Sequence, residues 1–107
     1  MSHVTTHVLD AALGRPAAGV EVALAGPFGE IIATGVTDVD GRVASLGPDA
    51  LEPGEYQLEF ATGAYFAEAA RDTFFPRVTL HFTIAGPQHY HVPLLLSPFA
   101  YSTYRGS

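Results

Sequence analysis

The sequence predicts an all-β fold, a sandwich of two sheets built from seven or eight strands with one short helix at its side. Short segments rich in valine, threonine, isoleucine and phenylalanine alternate in polarity. Gly/Pro clusters separate them at near-regular intervals, and only one stretch carries helical spacing. With 107 residues, 48% of them apolar and 15% charged, the chain reads as one domain spanning residues 1–107. A chain of that size can bury roughly 65% of its unfolded surface.

Val4, Thr6 and Val8 alternate with Thr5, His7 and Leu9, which predicts a first strand with His7 pointing away from the Val4/Val8 face. Asp10 to Gly19 contains Gly14-Arg15-Pro16, loop chemistry, before Val20 to Leu24 alternates as a second strand. Gly26-Pro27-Phe28-Gly29 turns the chain into a third, Ile31 to Thr37. Asp38-Val39-Asp40-Gly41 reads as a tight turn into a fourth, Arg42 to Leu46, placing Arg42 at the mouth of a hairpin. A Pro/Gly loop over 47–54 leads to a strand at Tyr56 to Phe60. Ala64 to Thr73 is the helical stretch, about two and a half turns long, ending before Phe74-Phe75-Pro76.

Val78 to Ile84 is the cleanest alternating strand, with His81 on its solvent side. Tyr90-His91-Val92 and Leu94-Leu95-Leu96 flank Pro93, which has no N–H for a ladder and so predicts an edge strand or a bulge. A final segment, Ala100 to Arg105, follows Ser97-Pro98. Three consecutive leucines put an apolar side chain on both faces of their strand, and Phe99-Ala100-Tyr101 repeats the problem. A homo-oligomer built partly from the C-terminal strands is therefore expected.

The cations are five arginines with no lysine, set against eleven carboxylates, for a formal charge of -6. That balance argues against nucleic-acid and membrane-surface partners, and an anionic small molecule would need a local arginine pocket. With no cysteine, disulfides, thiolate catalysis and cysteine-held metals are excluded. The start lacks a basic stretch followed by an apolar one, and no window reaches about eighteen consecutive apolar residues. The expectation is a soluble, cytoplasmic protein. No G-x-S-x-G elbow, Walker loop, dinucleotide fingerprint or H-E-x-x-H helix occurs.

His89 and His91 are two apart, so on a regular strand both leave one face. They could hold zinc if His7 or His81 closed the tetrahedron, could perform metal-free acid/base chemistry, or could form a solvated surface pair. Arg42 after its turn is either solvated or a source of paired donors for an oxyanion. His3 is expected to be mobile near the terminus, and Arg71 and Arg77 to be helix-end and surface arginines. Tyr101 to Ser107 places two tyrosines and an arginine in seven residues, which is unlike a frayed tail.

The run His89-Tyr90-His91-Val92-Pro93-Leu94-Leu95-Leu96-Ser97-Pro98, continued by Tyr101-Ser102-Thr103-Tyr104-Arg105-Gly106-Ser107, closely resembles the signature of 5-hydroxyisourate hydrolases, the transthyretin-like enzymes of urate breakdown. Thr6-His7-Val8-Leu9-Asp10, Gly14-Arg15-Pro16-Ala17 and Asp40-Gly41-Arg42 match the family's opening and middle motifs, so the likeness spans essentially the whole chain. It implies a transthyretin-like sandwich assembled as a homotetramer, with sites where dimers meet. The implied reaction is cofactor-free hydrolysis of 5-hydroxyisourate to 2-oxo-4-hydroxy-4-carboxy-5-ureidoimidazoline. The family's catalytic set maps onto His7, Arg42 and His91, with Tyr104, Arg105, Gly106 and Ser107 lining the substrate pocket and no metal. Transthyretin shares the fold without the enzyme tail, so a small-molecule carrier is the alternative.

Overall fold

A computed structural model describes residues 2–107; Met1 lies outside the described residues. Its elements in chain order are β1 (Val4–Asp10), β2 (Arg15–Pro16), β3 (Glu21–Ala25), β4 (Ile31–Val36), β5 (Gly54–Phe60), α1 (Thr62–Glu68), β6 (Val78–Ile84), β7 (Tyr90–Ser97) and β8 (Ala100–Thr103). The strands form two four-stranded sheets, ordered β2-β1-β7-β8 and β4-β3-β5-β6. The β1–β7 pair is parallel, with Thr5 opposite His91 and His7 opposite Pro93; the other ladders are antiparallel.

The alternation seen in the sequence places the core. Val4 and Val8 of β1 and Val92, Leu94 and Leu96 of β7 face Val22, Leu24, Leu58, Phe60, Val78 and Ile84 of the second sheet. Burial of this apolar surface is the main term holding the sheets together. The leucine triplet divides as its period demands: Leu94 and Leu96 are fully buried, while Leu95 is half-buried on the outer face.

Arg42 to Leu46 is not a strand. The chain leaves β4 and crosses to the first sheet, where Arg42 forms an isolated bridge with His7 and Gly41 O accepts the Val8 N–H at 2.8 Å. Val43 and Leu46 are buried as plugs between the sheets, so apolar spacing there reflects burial of a crossover and not a ladder.

Pro93 occupies a central strand, not an edge or a bulge. Tyr90 donates to His3 O on the β1 side, so alternation turns the Pro93 nitrogen toward β8, past the last β8 pair, Leu94 with Thr103. No ladder bond is lost there. The last strand also stops at Thr103, two residues short of the expected Arg105.

The helix runs from Thr62 to Glu68, two residues earlier at its start and five at its end than expected. Thr62 and Phe66 are its buried residues, and Ala70, with φ 52°, ends the turn. The cause is tertiary. Arg71 folds back so that its Nη1 donates to Asp10 Oδ2 at 2.7 Å, and Tyr65 Oη donates to the same oxygen at 2.7 Å. Arg71 is thus half-buried in an ion pair, not a free helix-end arginine.

Asp10 is fully buried. Burial alone would raise its carboxyl pKa, but the bonds from Arg71, Tyr65 and the Leu13 N–H together with the Arg71 charge outweigh it, holding the value at about 2. His3, expected to be mobile, is buried at 4% exposure. Its ring bonds Gly86 O, Gln88 O and the Leu51 N–H, tying the first residues to two loops. Among the described residues no helix is long and apolar enough to cross a membrane.

Candidate active site

The outer face of the β1–β7 pair carries the polar groups that its inner face excludes. Thr5 and His7 leave β1 on the same side, and the parallel register sets His91 directly opposite Thr5. The two imidazoles are therefore diagonal neighbours on adjoining strands.

Arg42 reaches this face through a locked turn. Asp38 Oδ1 accepts the N–H groups of Asp40 and Arg42 at 2.9 and 3.0 Å, and Gly41 N–H donates to Asp38 O at 2.9 Å. Gly41 has φ 77°, and a Cβ there would collide with Val8 O. A side chain at 41 would thus push Arg42 away from His7. Among the described residues no carboxylate pairs with the Arg42 side chain.

The tail closes the site. Gly106 N–H donates to His91 O at 2.8 Å, and Gly106 packs so closely on the imidazole that a Cβ would overlap its Cδ2. The result is a cleft of about 620 Å³ lined by Thr5, His7, Asp38, Arg42, His89, His91, Tyr104, Gly106 and Ser107, among others. Residues from both halves of the chain thus converge in one cavity. Arg105 points elsewhere: its guanidinium lies 4.8 Å from the Tyr90 ring centre, a cation–π contact that clamps the tail to the sandwich. A larger cleft of about 750 Å³ beside the helix holds Arg15 and Arg71 but no imidazole, and Arg71 there is committed to Asp10.

Burial lowers the pKa of His91 below the ordinary 6.5, and the charge of Arg42, with any that His7 and His89 carry when protonated, acts in the same direction. His91 is therefore a neutral imidazole near pH 7. Its Nδ1 lies 2.8 Å from Thr5 Oγ1, and among the described residues no group bonds its Nε2. A half-buried, uncharged imidazole with a free nitrogen in a cleft can take a proton from water, and the neighbouring guanidinium can stabilise an oxyanion.

His89 precedes β7 but also reaches Thr5, with its Nε2 2.8 Å from Oγ1. His81 is exposed on β6; it lines an adjoining cleft of about 410 Å³ with His91, Tyr104 and Arg105, but not the cleft of His7 and Arg42. Among the described residues no three His, Asp or Glu side chains converge with metal-ligand spacing. Thr5 and Asp38 were not singled out in the sequence. The i, i+2 relation of Thr5 to His7 was a signal that it shares their face; nothing local marked Asp38 as the anchor of the Arg42 turn.

A profile of the HIUase/Transthyretin family matches residues 4–106. The 5-hydroxyisourate hydrolase of Salmonella dublin is 48% identical over 109 residues, covering 97% of this chain and 80% of that one. A solved structure of Klebsiella pneumoniae 5-hydroxyisourate hydrolase superposes with a TM-score of 0.90 at 43% identity, covering 97% of this chain and 98% of its own. Sea bream transthyretin in complex with thyroxine gives a TM-score of 0.89 at 34% identity, covering 96% of this chain and 93% of its own. By its motifs, its sandwich and these matches, the chain belongs to the HIUase/transthyretin family.

Proposed function

We propose that this protein is a 5-hydroxyisourate hydrolase that opens the six-membered ring to give 2-oxo-4-hydroxy-4-carboxy-5-ureidoimidazoline, using His7, Arg42 and His91 without a metal or cofactor. The observation that carries the reading is the meeting of these three side chains, from β1, the 38–42 turn and β7, in one tail-walled cleft. The names of relatives 44–48% identical over nearly the whole chain support the substrate.

In this mechanism His91 Nε2 takes a proton from water as its oxygen bonds to the amide-like ring carbonyl. Arg42 stabilises the oxyanion. The carbonyl then re-forms, the C–N bond breaks with its electron pair passing to nitrogen, and His7 supplies the proton that nitrogen takes. The new carboxyl group remains beside Arg42, a local cation in a chain of formal charge -6. Tyr104, Gly106 and Ser107 wall the pocket, and Arg105 acts by holding them in place through Tyr90.

The same proposal includes a homotetramer with sites at the dimer–dimer interface. Leu95 on the outer face, the unpaired edge of β8, and Phe99 and Tyr101 at 68% and 40% exposure support it. A cytoplasmic location belongs to this reading as well.

Freshly generated 5-hydroxyisourate should decay faster with the protein than in buffer, and His91→Ala should abolish most of the acceleration. The likeness to sea bream transthyretin favours one other reading, a carrier of small molecules in the assembled channel. A carrier would bind its ligand equally well after His91→Ala or removal of Tyr104 to Ser107, and would leave the spontaneous decay unchanged.

A further inference from the structure

Thr5 Oγ1 lies between two imidazoles, 2.8 Å from His91 Nδ1 and 2.8 Å from His89 Nε2. A hydroxyl has one proton, so it can donate to at most one ring and must accept from at least one. Three arrangements satisfy both contacts, because the hydroxyl oxygen has two lone pairs. His91 Nδ1–H donates to Thr5 and Thr5 donates to His89; or His89 Nε2–H donates to Thr5 and Thr5 donates to His91; or both rings donate to Thr5. The choice fixes the tautomers of both rings together. The first and the third leave the lone pair of His91 Nε2 facing the cleft, and of these only the first spends the hydroxyl's own proton within the cluster.

We propose that Thr5 is a positioning residue of the hydrolase, which accepts the Nδ1–H of His91 and donates to His89, so that His91 presents an unprotonated Nε2 to the substrate water. The inference rests on the reading of His91 as proton acceptor. The sheet register supports it: Thr5 is the direct β1 partner of His91, so the contact is set by a strand ladder and not by a loop. Gly106 lies against the opposite edge of the same ring, where a Cβ would overlap Cδ2, and its N–H donates to the backbone oxygen of His91.

The first arrangement also survives the reaction. When Nε2 takes the water's proton, Nδ1–H still donates to Thr5, so no hydroxyl has to turn. A hydroxyl adds no charge beside the imidazole, unlike a carboxylate, which would favour the protonated ring. The other groups lining the cleft around His91 are His89 beside Thr5, His7 on β1, Arg42 and Asp38 on the turn, and Tyr104 on the tail.

The test reads the tautomer directly. Long-range ¹H–¹⁵N NMR of the histidine rings, with the His91 signals assigned from the His91→Ala protein, should show Nδ1 protonated and Nε2 unprotonated in the native protein. Thr5→Val should give a mixture of tautomers, and Thr5→Ser should restore the native pattern. In parallel, kcat of Thr5→Val should fall about 10- to 100-fold, the loss seen when the partner that orients a metal-bound imidazole is removed, with little change in KM. Thr5→Ser should recover most of kcat.

A protonated Nε2 on His91 in the native protein would overturn the proposal, as would an unchanged tautomer in Thr5→Val or, should that variant not fold, in Thr5→Ala. The NMR needs no substrate, so the two readings fail separately. A protein that never accelerates 5-hydroxyisourate decay refutes the hydrolase, whereas full activity with the wrong tautomer refutes only the role of Thr5.

Discussion

Two polar clusters occupy opposite faces of β1, and they spend their charge in opposite ways. On the inner face Asp10 is saturated by Arg71, Tyr65 and a backbone N–H, and the helix ends where this ion pair requires. On the outer face Arg42 has no carboxylate partner among the described residues, and His91 is kept neutral with one nitrogen free. The closed cluster joins the helix to the sheet. The open one leaves a guanidinium and an imidazole nitrogen without protein partners in the cleft, so of the two arginines that approach β1 one is spent on the fold and the other is not.

The largest expected effect breaks the open cluster. His91→Ala should lower the rate of 5-hydroxyisourate decay by about 10² to 10⁴-fold, the usual worth of a general acid/base. Its thermal midpoint should stay close to native, because the ring packs outside the core.

The closed cluster should fail in the complementary way. Asp10→Ala strands Arg71 half-buried beside Tyr65, at an expected cost of about 3 kcal/mol in urea unfolding. Turnover per folded molecule should be preserved. Acid provides a milder probe of the same pair. The folded pKa of Asp10, about 2, is below the ordinary 3.8, so its stabilisation is present above pH 3.8 and is lost as the pH falls toward 2. The amount at stake is about 2 kcal/mol. In Asp10→Asn that part of the acid-induced loss should disappear from unfolding curves.

Smaller shifts sharpen the contrast in the open cluster. Because His91 has a lowered pKa, the acid limb of kcat/KM should lie below pH 6.5. Arg42→Gln removes a nearby positive charge, so the limb of the residual activity should move to higher pH while burial still holds it under the ordinary value. Treatment with a chelator should change the rate least of all; a loss of activity restored by zinc would replace the metal-free account with one using the imidazoles as ligands.

The legible parts of this fold are those whose burial follows local period. Val78 to Ile84 alternates without interruption, and β6 has those bounds. Arg42 to Leu46 has similar spacing but is a crossover, because alternation reports which side chains are buried and not what the backbone bonds to. The helix end depends on a contact between residues 61 apart in sequence, Asp10 and Arg71, which no local window contains. Pro93 fits a central strand only because β8 stops at Thr103, and His3 is held by loops more than forty residues away.

The candidate site was assembled by another route. His7, Arg42 and His91 are distant in sequence, and only the resemblance joined them; periodicity placed His7 on the correct face of β1 and went no further. Thr5 shared that face in plain view, yet its role depends on the parallel register with β7, which strand composition does not encode.

The division of function from stability between the two clusters is read in the rate of 5-hydroxyisourate decay per folded molecule for native, His91→Ala and Asp10→Ala proteins, side by side and below all three melting temperatures. Asp10→Ala should keep near-native turnover, and His91→Ala should fall to a rate close to the spontaneous reaction. Near-native turnover in His91→Ala, or no acceleration by the native protein, would contradict that division.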